Sequence, residues 1–285
     1  MVTSTLKLAE SWSASDGVSA KALWRTSDDL TFETGYFRLP AYDSICVSSQ
    51  VGCNVGCRFC VTGLKRVARN LDPQEIVDQV LADPFNLFSS GRRLKISYQG
   101  MGEPFHNLSN VIASLTSLRK EVPRSELGVS TVGFRRHLME LAESVPGVKL
   151  QISLHSVDSS TRRALIPKSD RGHIPELLEA ASAYADANSR PVVLNYMLLR
   201  GVNDSFHDGH SLGSLAREQF EFKISNYNWS PLLPYLPSPP SSTDEFILGF
   251  LSTGASYYGF ESLGGDIACG CGHLRSRGIS DVGES

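Results

Sequence analysis

Four of the chain's six cysteines fall in the fifteen residues Cys46-Val-Ser-Ser-Gln-Val-Gly-Cys53-Asn-Val-Gly-Cys57-Arg-Phe-Cys60, and this run limits the fold more than any other. Cys53, Cys57 and Cys60 form C-x3-C-x2-C, which lets three thiolates converge on one polynuclear centre and leaves a fourth position without a protein ligand. A structural zinc site wants four closed ligands, and a structural iron-sulfur cluster wants four cysteines. Neither has its fourth ligand nearby. The spacing therefore predicts an open iron-sulfur cluster on a loop, with a zinc or redox cysteine cluster as the rival.

A chain of 285 residues with 41% hydrophobic content can build one α/β barrel or two small domains. Its net charge of −3 and pI near 6.2 remove bulk attraction to nucleic acid, so any RNA contact must come from local basic patches. The start has no basic segment leading into an apolar core, and no apolar run approaches about 18 residues. A soluble, cytoplasmic protein without a membrane partner is expected, and in a reducing compartment its cysteines serve as ligands or catalysts before disulfides.

Residues 1–20 read as a loose lead-in or an irregular helix. Lys21 to Pro40 alternates around Ser27-Asp28-Asp29 and predicts a hairpin. Strands are expected at 45–49, 94–99, 127–131, 148–154, 192–198 and 222–228, with helices near 73–83, 107–120, 134–143, 159–164, 174–187 and 206–218. The first helix has Asp72 as its cap, Pro73 next and Glu75 three residues after the cap, with Ile76, Val77, Val80 and Leu81 on its core face. This rhythm predicts the α/β class: a partial (β/α)6 TIM-type barrel over 45–234, a β extension over 1–44 and a C-terminal appendage over 235–285. Pro234 to Ser242 is the stiff connection, and Thr243 is placed to cap a last helix through about Leu251.

In a parallel barrel the chemistry sits at the carboxyl ends of the strands. The cysteine loop follows the first strand, Gly100-Met-Gly-Glu-Pro104 the second, Ser130-Thr131 closes the third, Ser153-Leu154-His155 ends the fourth, and Asn228-Trp-Ser230 ends the sixth. Gly102 admits close backbone approach, Glu103 can accept from an ammonium, and Ser130, Ser153 and His155 can hold hydroxyls or a carboxylate. Ordinary turn chemistry explains any one of these motifs taken alone.

The cysteine triad, with Phe59 before its last member, resembles the signature of radical S-adenosylmethionine (SAM) enzymes. In order along the chain, Cys46 to Cys53, Arg69-Asn70-Leu71, Gly100 to Pro104, Ser130-Thr131, Ser153-Leu-His155 and Cys271-Gly-x-Leu274 resemble the dual-cysteine RNA methyltransferases of the RlmN and Cfr type. The resemblance implies one 4Fe-4S cluster on Cys53, Cys57 and Cys60. It also implies SAM held by Gly102, Glu103, Ser130, Ser153, Leu154, His155 and Ser230. Cys271 would be the methyl carrier, Cys46 the thiolate that resolves the substrate adduct through a transient disulfide, and Glu33 the proton acceptor. Read without the resemblance, Cys46 is a buried strand residue and Glu33 a solvated hairpin residue.

The carrier position has two registers. Ala268-Cys269-Gly270 copies the local word, whereas spacing from Asp266-Ile267 and the following Gly-x-Leu selects Cys271. Departures from the pattern are Ser230 where relatives carry a SAM-contacting Asn (Asn228 being a substitute), His273 for the usual Gln, an additional Cys269, and the lack of a helical RNA-binding domain before Cys46.

The expected activity is methylation of an sp2 ring carbon, carbon 2 or 8 of adenosine in ribosomal or transfer RNA. RNA would dock on Lys65, Arg66, Arg69, Arg92, Arg93, Arg135, Arg136 and Arg171. Partners implied are a low-potential electron donor (flavodoxin or ferredoxin) and a thiol reductant, with the oligomeric state left open. The alternatives are the same chemistry on a small heteroaromatic metabolite, or a non-catalytic iron-sulfur or zinc protein that binds RNA.

Overall fold

The computed structural model describes residues 5–64, 66–169, 174–260, 263–270 and 272–274. They fall into two compact units, the first comprising the chain up to Asn54, Cys60–Val129 and the segment from Leu263, the second Val55–Phe59 and 130–262.

In the first unit, β1 (Lys7–Ser13), β2 (Ser19–Arg25), β3 (Thr31–Arg38) and β4 (Asp43–Cys46) pair antiparallel in sequence order. The two-residue strands β5 (Gln50–Val51) and β6 (Arg69–Asn70) then pair antiparallel, closing the base of the cysteine loop. After α1 (Pro73–Leu81), strand β7 (Leu94–Tyr98) pairs parallel with β4; after α2 (Leu108–Glu121), β8 (Glu126–Thr131) pairs parallel with β7.

The expected hairpin is β2–β3, turned at Asp29, whose φ of 65° suits a short polar side chain. The expected capping box is present: Asp72 accepts from the Glu75 N–H at 2.8 Å, and Glu75 accepts from the Asp72 N–H at 2.9 Å. Two readings change. The stretch expected to be a loose lead-in is strand β1, held by its ladder to β2; its side chains are exposed except for half-buried Trp12, so no alternation marks it. Leu81, expected on the core face of α1, is exposed at the helix end, while Ile76, Val77 and Val80 are buried.

The second unit alternates helix and strand: α3 (Arg135–Ser144), β9 (Lys149–Ser153), α4 (Ser159–Leu165), α5 (Ile174–Asn188), β10 (Val192–Leu198), α6 (Phe206–Gly213), β11 (Phe220–Asn226), α7 (Pro240–Leu251) and β12 (Tyr257–Phe260). Strands β9, β10, β11 and β12 run parallel, each beside the next. The β-α-β rhythm thus continues through Phe260, past residue 234 where the appendage was expected to begin. β12 is short, and Tyr257 and Tyr258 are exposed, so it lacks a strand pattern. Helix α6 stops at Gly213 rather than 218, since the Leu215 and Ala216 N–H groups turn back three residues, to Leu212 and Gly213.

Helices α6 and α7 approach through glycine. A Cβ on Gly209 would lie 2.0 Å from the Phe246 carbonyl oxygen, and one on Gly249 would lie 2.1 Å from that of Phe206. No described helix is long and apolar enough to cross a membrane.

Candidate active site

The first unit gathers its chemistry on one face of β2–β3–β4. Lys21 pairs with Gly35, and Gly35 with Cys46, so the three form a row across the strands. Paired residues project to one side, and Glu33 and Phe37, two residues either way along β3, share that side with Gly35. The opposite face packs on α1, where Thr34 donates to the Gln79 side-chain oxygen at 2.6 Å and the Tyr36 hydroxyl to the Gln79 carbonyl at 2.6 Å.

Glu33 is fully buried, contrary to the solvated-hairpin reading, because both faces of the hairpin are covered. Lys21 Nζ lies 3.1 Å from its Oε1, with the two side chains 3% and 0% exposed, and also 5.0 Å from the Trp12 ring centroid. The Glu33 N–H points at Met101 Sδ (3.3 Å) and its carbonyl accepts from Ser48 Oγ (2.6 Å). Cys46, the last residue of β4, is half-buried.

Ser48 Oγ in turn accepts from the Met101 N–H at 2.7 Å, and Gln79 clamps both polar backbone groups of Ser48. This brings Gly100-Met-Gly-Glu against the start of the cysteine loop. A Cβ on Gly100 would meet Ser48 Oγ at 2.6 Å, and one on Gly102, at φ +100°, would meet Gln50 Cβ at 2.7 Å and Ser49 Oγ at 2.8 Å. Glu103 is buried, its N–H held by Gln50 Oε1 at 2.9 Å, and its carboxylate accepts from the Phe105 N–H at 3.0 Å. One carboxylate oxygen thus caps the turn after Pro104. Beside Gly102 the buried Ser49 hydroxyl has no hydrogen-bond partner among the described residues, an orphan that a polar ligand group would satisfy. That cradle fits a cofactor's polar end.

Gly52 (φ +89°) and Gly56 (φ +71°) bend the cysteine loop, and a Cβ on Gly52 would strike the Arg66 carbonyl at 2.6 Å. Cys53, Cys57 and Cys60 are each half-buried. Among the described residues no group of His, Cys, Asp or Glu is gathered tightly enough for a single ion. Three thiolates are the donor chemistry of an open 4Fe-4S cluster, which takes one sulfur on each of three irons.

The C-terminal loop docks on this unit. Cys269 is buried, its S–H donating to the Ala20 carbonyl at 3.2 Å. The Val61 N–H, next to Cys60, donates to the Gly272 carbonyl at 2.8 Å, and Thr62 Oγ1 donates to the Leu274 carbonyl. Cys271 itself lies outside the described residues.

In the second unit His155, at φ +57°, is buried and accepts the Met197 N–H on Nδ1 at 3.1 Å. Burial, with the charges of Arg162 and Lys223, pushes its imidazole down to about 3, so it is neutral. Phe59, from the cysteine loop, meets its ring edge-on at 4.9 Å. Arg162 gathers strand ends by donating to the carbonyls of Val132 (2.6 Å), Leu154 (3.1 Å) and Ser153 (3.3 Å). Leu154 is buried with its N–H on the Asn195 carbonyl at 3.0 Å, Ser130 Oγ takes Gln151 Nε2 at 3.1 Å, and Ser230 Oγ takes the Leu232 N–H at 3.3 Å.

Sequence reasoning missed Lys21, Ser48, Gln79 and Arg162. Lys21 carried a signal: a lysine inside an apolar strand buried on both faces requires a counter-ion. Four of the eight cations expected to dock RNA are committed within the protein. Arg69 makes paired bonds to Asp28 and Glu75, Arg92 reaches Asp43, Arg93 reaches Glu126, and Arg135 reaches Glu176. Lys65 and Arg171 lie outside the described residues.

A strand-borne cysteine loop, a glycine cradle beside it and parallel β-α repeats define an α/β enzyme of the partial TIM-barrel class, and residues 47–208 match the Radical SAM superfamily. The chain is 34% identical, over 92% of its length and 74% of the relative's, to the probable dual-specificity RNA methyltransferase RlmN of Corynebacterium diphtheriae. It is 35% identical, over 96% and 75%, to the dual-specificity RNA methyltransferase RlmN of Anaeromyxobacter sp.. A crystal structure of a radical SAM methyltransferase from Sphaerobacter thermophilus superposes with a TM-score of 0.89 at 33% identity, covering 95% of this chain and 82% of that one. SuiB from Streptococcus suis shares the fold at 12% identity, with a TM-score of 0.56 over 76% of this chain and 49% of that one. The chain belongs to the RlmN family of radical SAM methyltransferases. It is thus a SAM-dependent enzyme of a class that works with a 4Fe-4S cluster, and the non-catalytic alternative falls.

Proposed function

We propose that this chain methylates carbon 2 or 8 of adenosine in RNA, with Cys271 as methyl carrier, Cys46 as resolving thiolate and Glu33 as proton acceptor. The observation that carries the reading is the docked C-terminal loop. Residues on both sides of Cys271 sit on the first unit, Gly272 bonded to the residue after Cys60 and Cys269 lying over the row that holds Gly35 and Cys46.

Cys53, Cys57 and Cys60 would hold the cluster, with Gly102, Glu103, Ser130, Ser153, Leu154, His155 and Ser230 around SAM. When bound and reduced by a flavodoxin or ferredoxin, that pair supplies a 5′-deoxyadenosyl radical. The protein's own part is thiol chemistry. Cys271 takes a methyl group on sulfur, loses a hydrogen atom from it and bonds through that carbon to the substrate ring. Glu33 accepts the ring proton as the adduct gives up its unpaired electron, which the oxidised cluster would take back, and the Cys46 thiolate attacks the Cys271 sulfur. The carbon–sulfur bond then breaks with its electron pair on the product carbon, which takes up a proton to complete the methyl group, and a disulfide remains for a thiol reductant to open.

Cys46→Ala should accumulate an RNA adduct on Cys271 during expression, whereas Cys271→Ala forms none; mass spectrometry of the purified proteins reads both. Normal turnover by Cys46→Ala refutes the assignment. The internal pairing of Arg69, Arg92, Arg93 and Arg135 favours a second reading, a small heteroaromatic substrate, which predicts a small-molecule adduct instead.

A further inference from the structure

The dual-cysteine reading gives Cys269 no task, yet its sulfur is placed in the centre. Lys21, Gly35 and Cys46 stand in one row, and directly opposed Cβ atoms on neighbouring strands are about 5 Å apart. A Cβ on Gly35 would lie 3.2 Å from Cys269 Sγ, so that sulfur hangs over the glycine, one strand from Cys46 and on its side of the sheet. The missing side chain at Gly35 makes room for both the Cys269 sulfur and the edge of the Phe37 ring, 3.1 Å from that Cβ position, so this ring must turn aside as the two sulfurs meet. The loop is anchored at both ends of the cysteine word: the Cys269 N–H donates to the Gly264 carbonyl at 2.9 Å, and the His273 N–H to the Gly270 carbonyl at 3.0 Å. Only Gly270 separates Cys269 from Cys271.

We propose that Cys269 is a third redox-active thiol that exchanges into the Cys46–Cys271 disulfide and returns Cys271 to its thiol form. The inference rests on the methyl-carrier reading above. The Cys269 sulfur attacks the Cys46 sulfur, the Cys46–Cys271 bond breaks, and its electron pair leaves on Cys271. The proton lost by Cys269 ends on Cys271. The exchange itself changes no oxidation level; a dithiol reductant then supplies two electrons and two protons to the Cys46–Cys269 disulfide and becomes a disulfide itself. The carrier is thus ready to be methylated again before the external reductant has acted.

The test uses full-length, cluster-loaded Cys271→Ala protein, oxidised anaerobically with diamide, alkylated and mapped by peptide mass spectrometry. The expected result is a Cys46–Cys269 bridge in more than about half of the molecules, since neighbouring thiols out-compete solution reagents. Separate recovery of Cys46 and Cys269 as alkylated peptides overturns the proposal. A second measurement uses the wild-type enzyme, quenched after one turnover with no thiol reductant. A bridge moved partly onto Cys269 supports the exchange, and a disulfide held solely between Cys46 and Cys271 overturns it. The diamide experiment needs no substrate: methylated RNA from the wild-type enzyme without the bridge in Cys271→Ala sinks this proposal alone, and a bridge without any methyl transfer by the wild-type enzyme sinks the methyltransferase reading.

Discussion

The buried Lys21–Glu33 pair can be taken apart one charge at a time. Nζ and Oε1 are 3.1 Å apart with both side chains essentially out of water, so Lys21→Met takes the buried ammonium from Glu33 and Glu33→Gln takes the buried carboxylate from Lys21. Removing one partner of such a pair costs about 3–5 kcal/mol, because the survivor keeps its desolvation penalty and loses its attraction. Lys21→Met also gives up the contact over Trp12, worth about 0.5–2 kcal/mol. The double variant carries neither buried charge in nearly the same volume, and its cost should approach zero to about 2 kcal/mol. The cycle therefore predicts coupling of about 3 kcal/mol or more, far outside the range for independent sites. Urea unfolding followed by fluorescence reads it, since Trp12 and Trp24 lie on the same unit. Single-variant losses that simply add in the double would refute the reasoning. The cycle also separates stability from chemistry, since a double variant that regains stability but not methylation places Glu33 in the reaction.

His155 makes stability fall with acid. Its imidazole is held down to about 3, so as pH drops through about 6.5 the unfolded chain binds a proton that the folded chain refuses. The loss should reach about 2–3 kcal/mol by pH 4.5, and His155→Gln should flatten the profile; an unchanged slope counts against the burial argument. Gly249→Ala must push α6 from α7, costing about 1–3 kcal/mol or more in thermal unfolding, and wild-type stability would refute the close approach. Gly102→Ala should weaken SAM binding to cluster-loaded protein more than about tenfold by calorimetry, as its Cβ enters the space of Gln50 and Ser49; unchanged affinity removes Gly102 from the site. Arg69→Met should cost about 1 kcal/mol of stability with RNA affinity intact, because its guanidinium is occupied by Asp28 and Glu75; a large loss of RNA affinity would restore its docking role.

The β-α rhythm was legible because six strands bury side chains at fixed positions and their helices carry caps such as Asp72 and Pro73. What escaped was structure held by backbone alone. β1 and β12 take their places through ladders to β2 and β11 while their side chains stay mostly in water, so periodicity had nothing to report. The end of α6 escaped for a different reason: Gly213 serves the approach to α7, a partner more than twenty-five residues onward whose position no local pattern encodes.

The site divides along the same line. Gly100 and Gly102 could be read as points of close approach, and the structure supplies what approaches them, the Ser48–Gln50 backbone and side chains. Glu33 could not be read from its strand, since alternation states only that successive residues face opposite ways. Its burial requires two covers, α1 over Thr34 and Tyr36 and, on its own side, a loop more than two hundred residues later that brings Cys269 over Gly35. A carboxylate enclosed that way is costly unless paired, and Lys21 is the compensating charge that the alternating apolar residues of β2 conceal. Such long-range closure is what sets Glu33, Cys46 and the loop that carries Cys269 on one sheet face, and a substitution at Gly35 should disturb all three together.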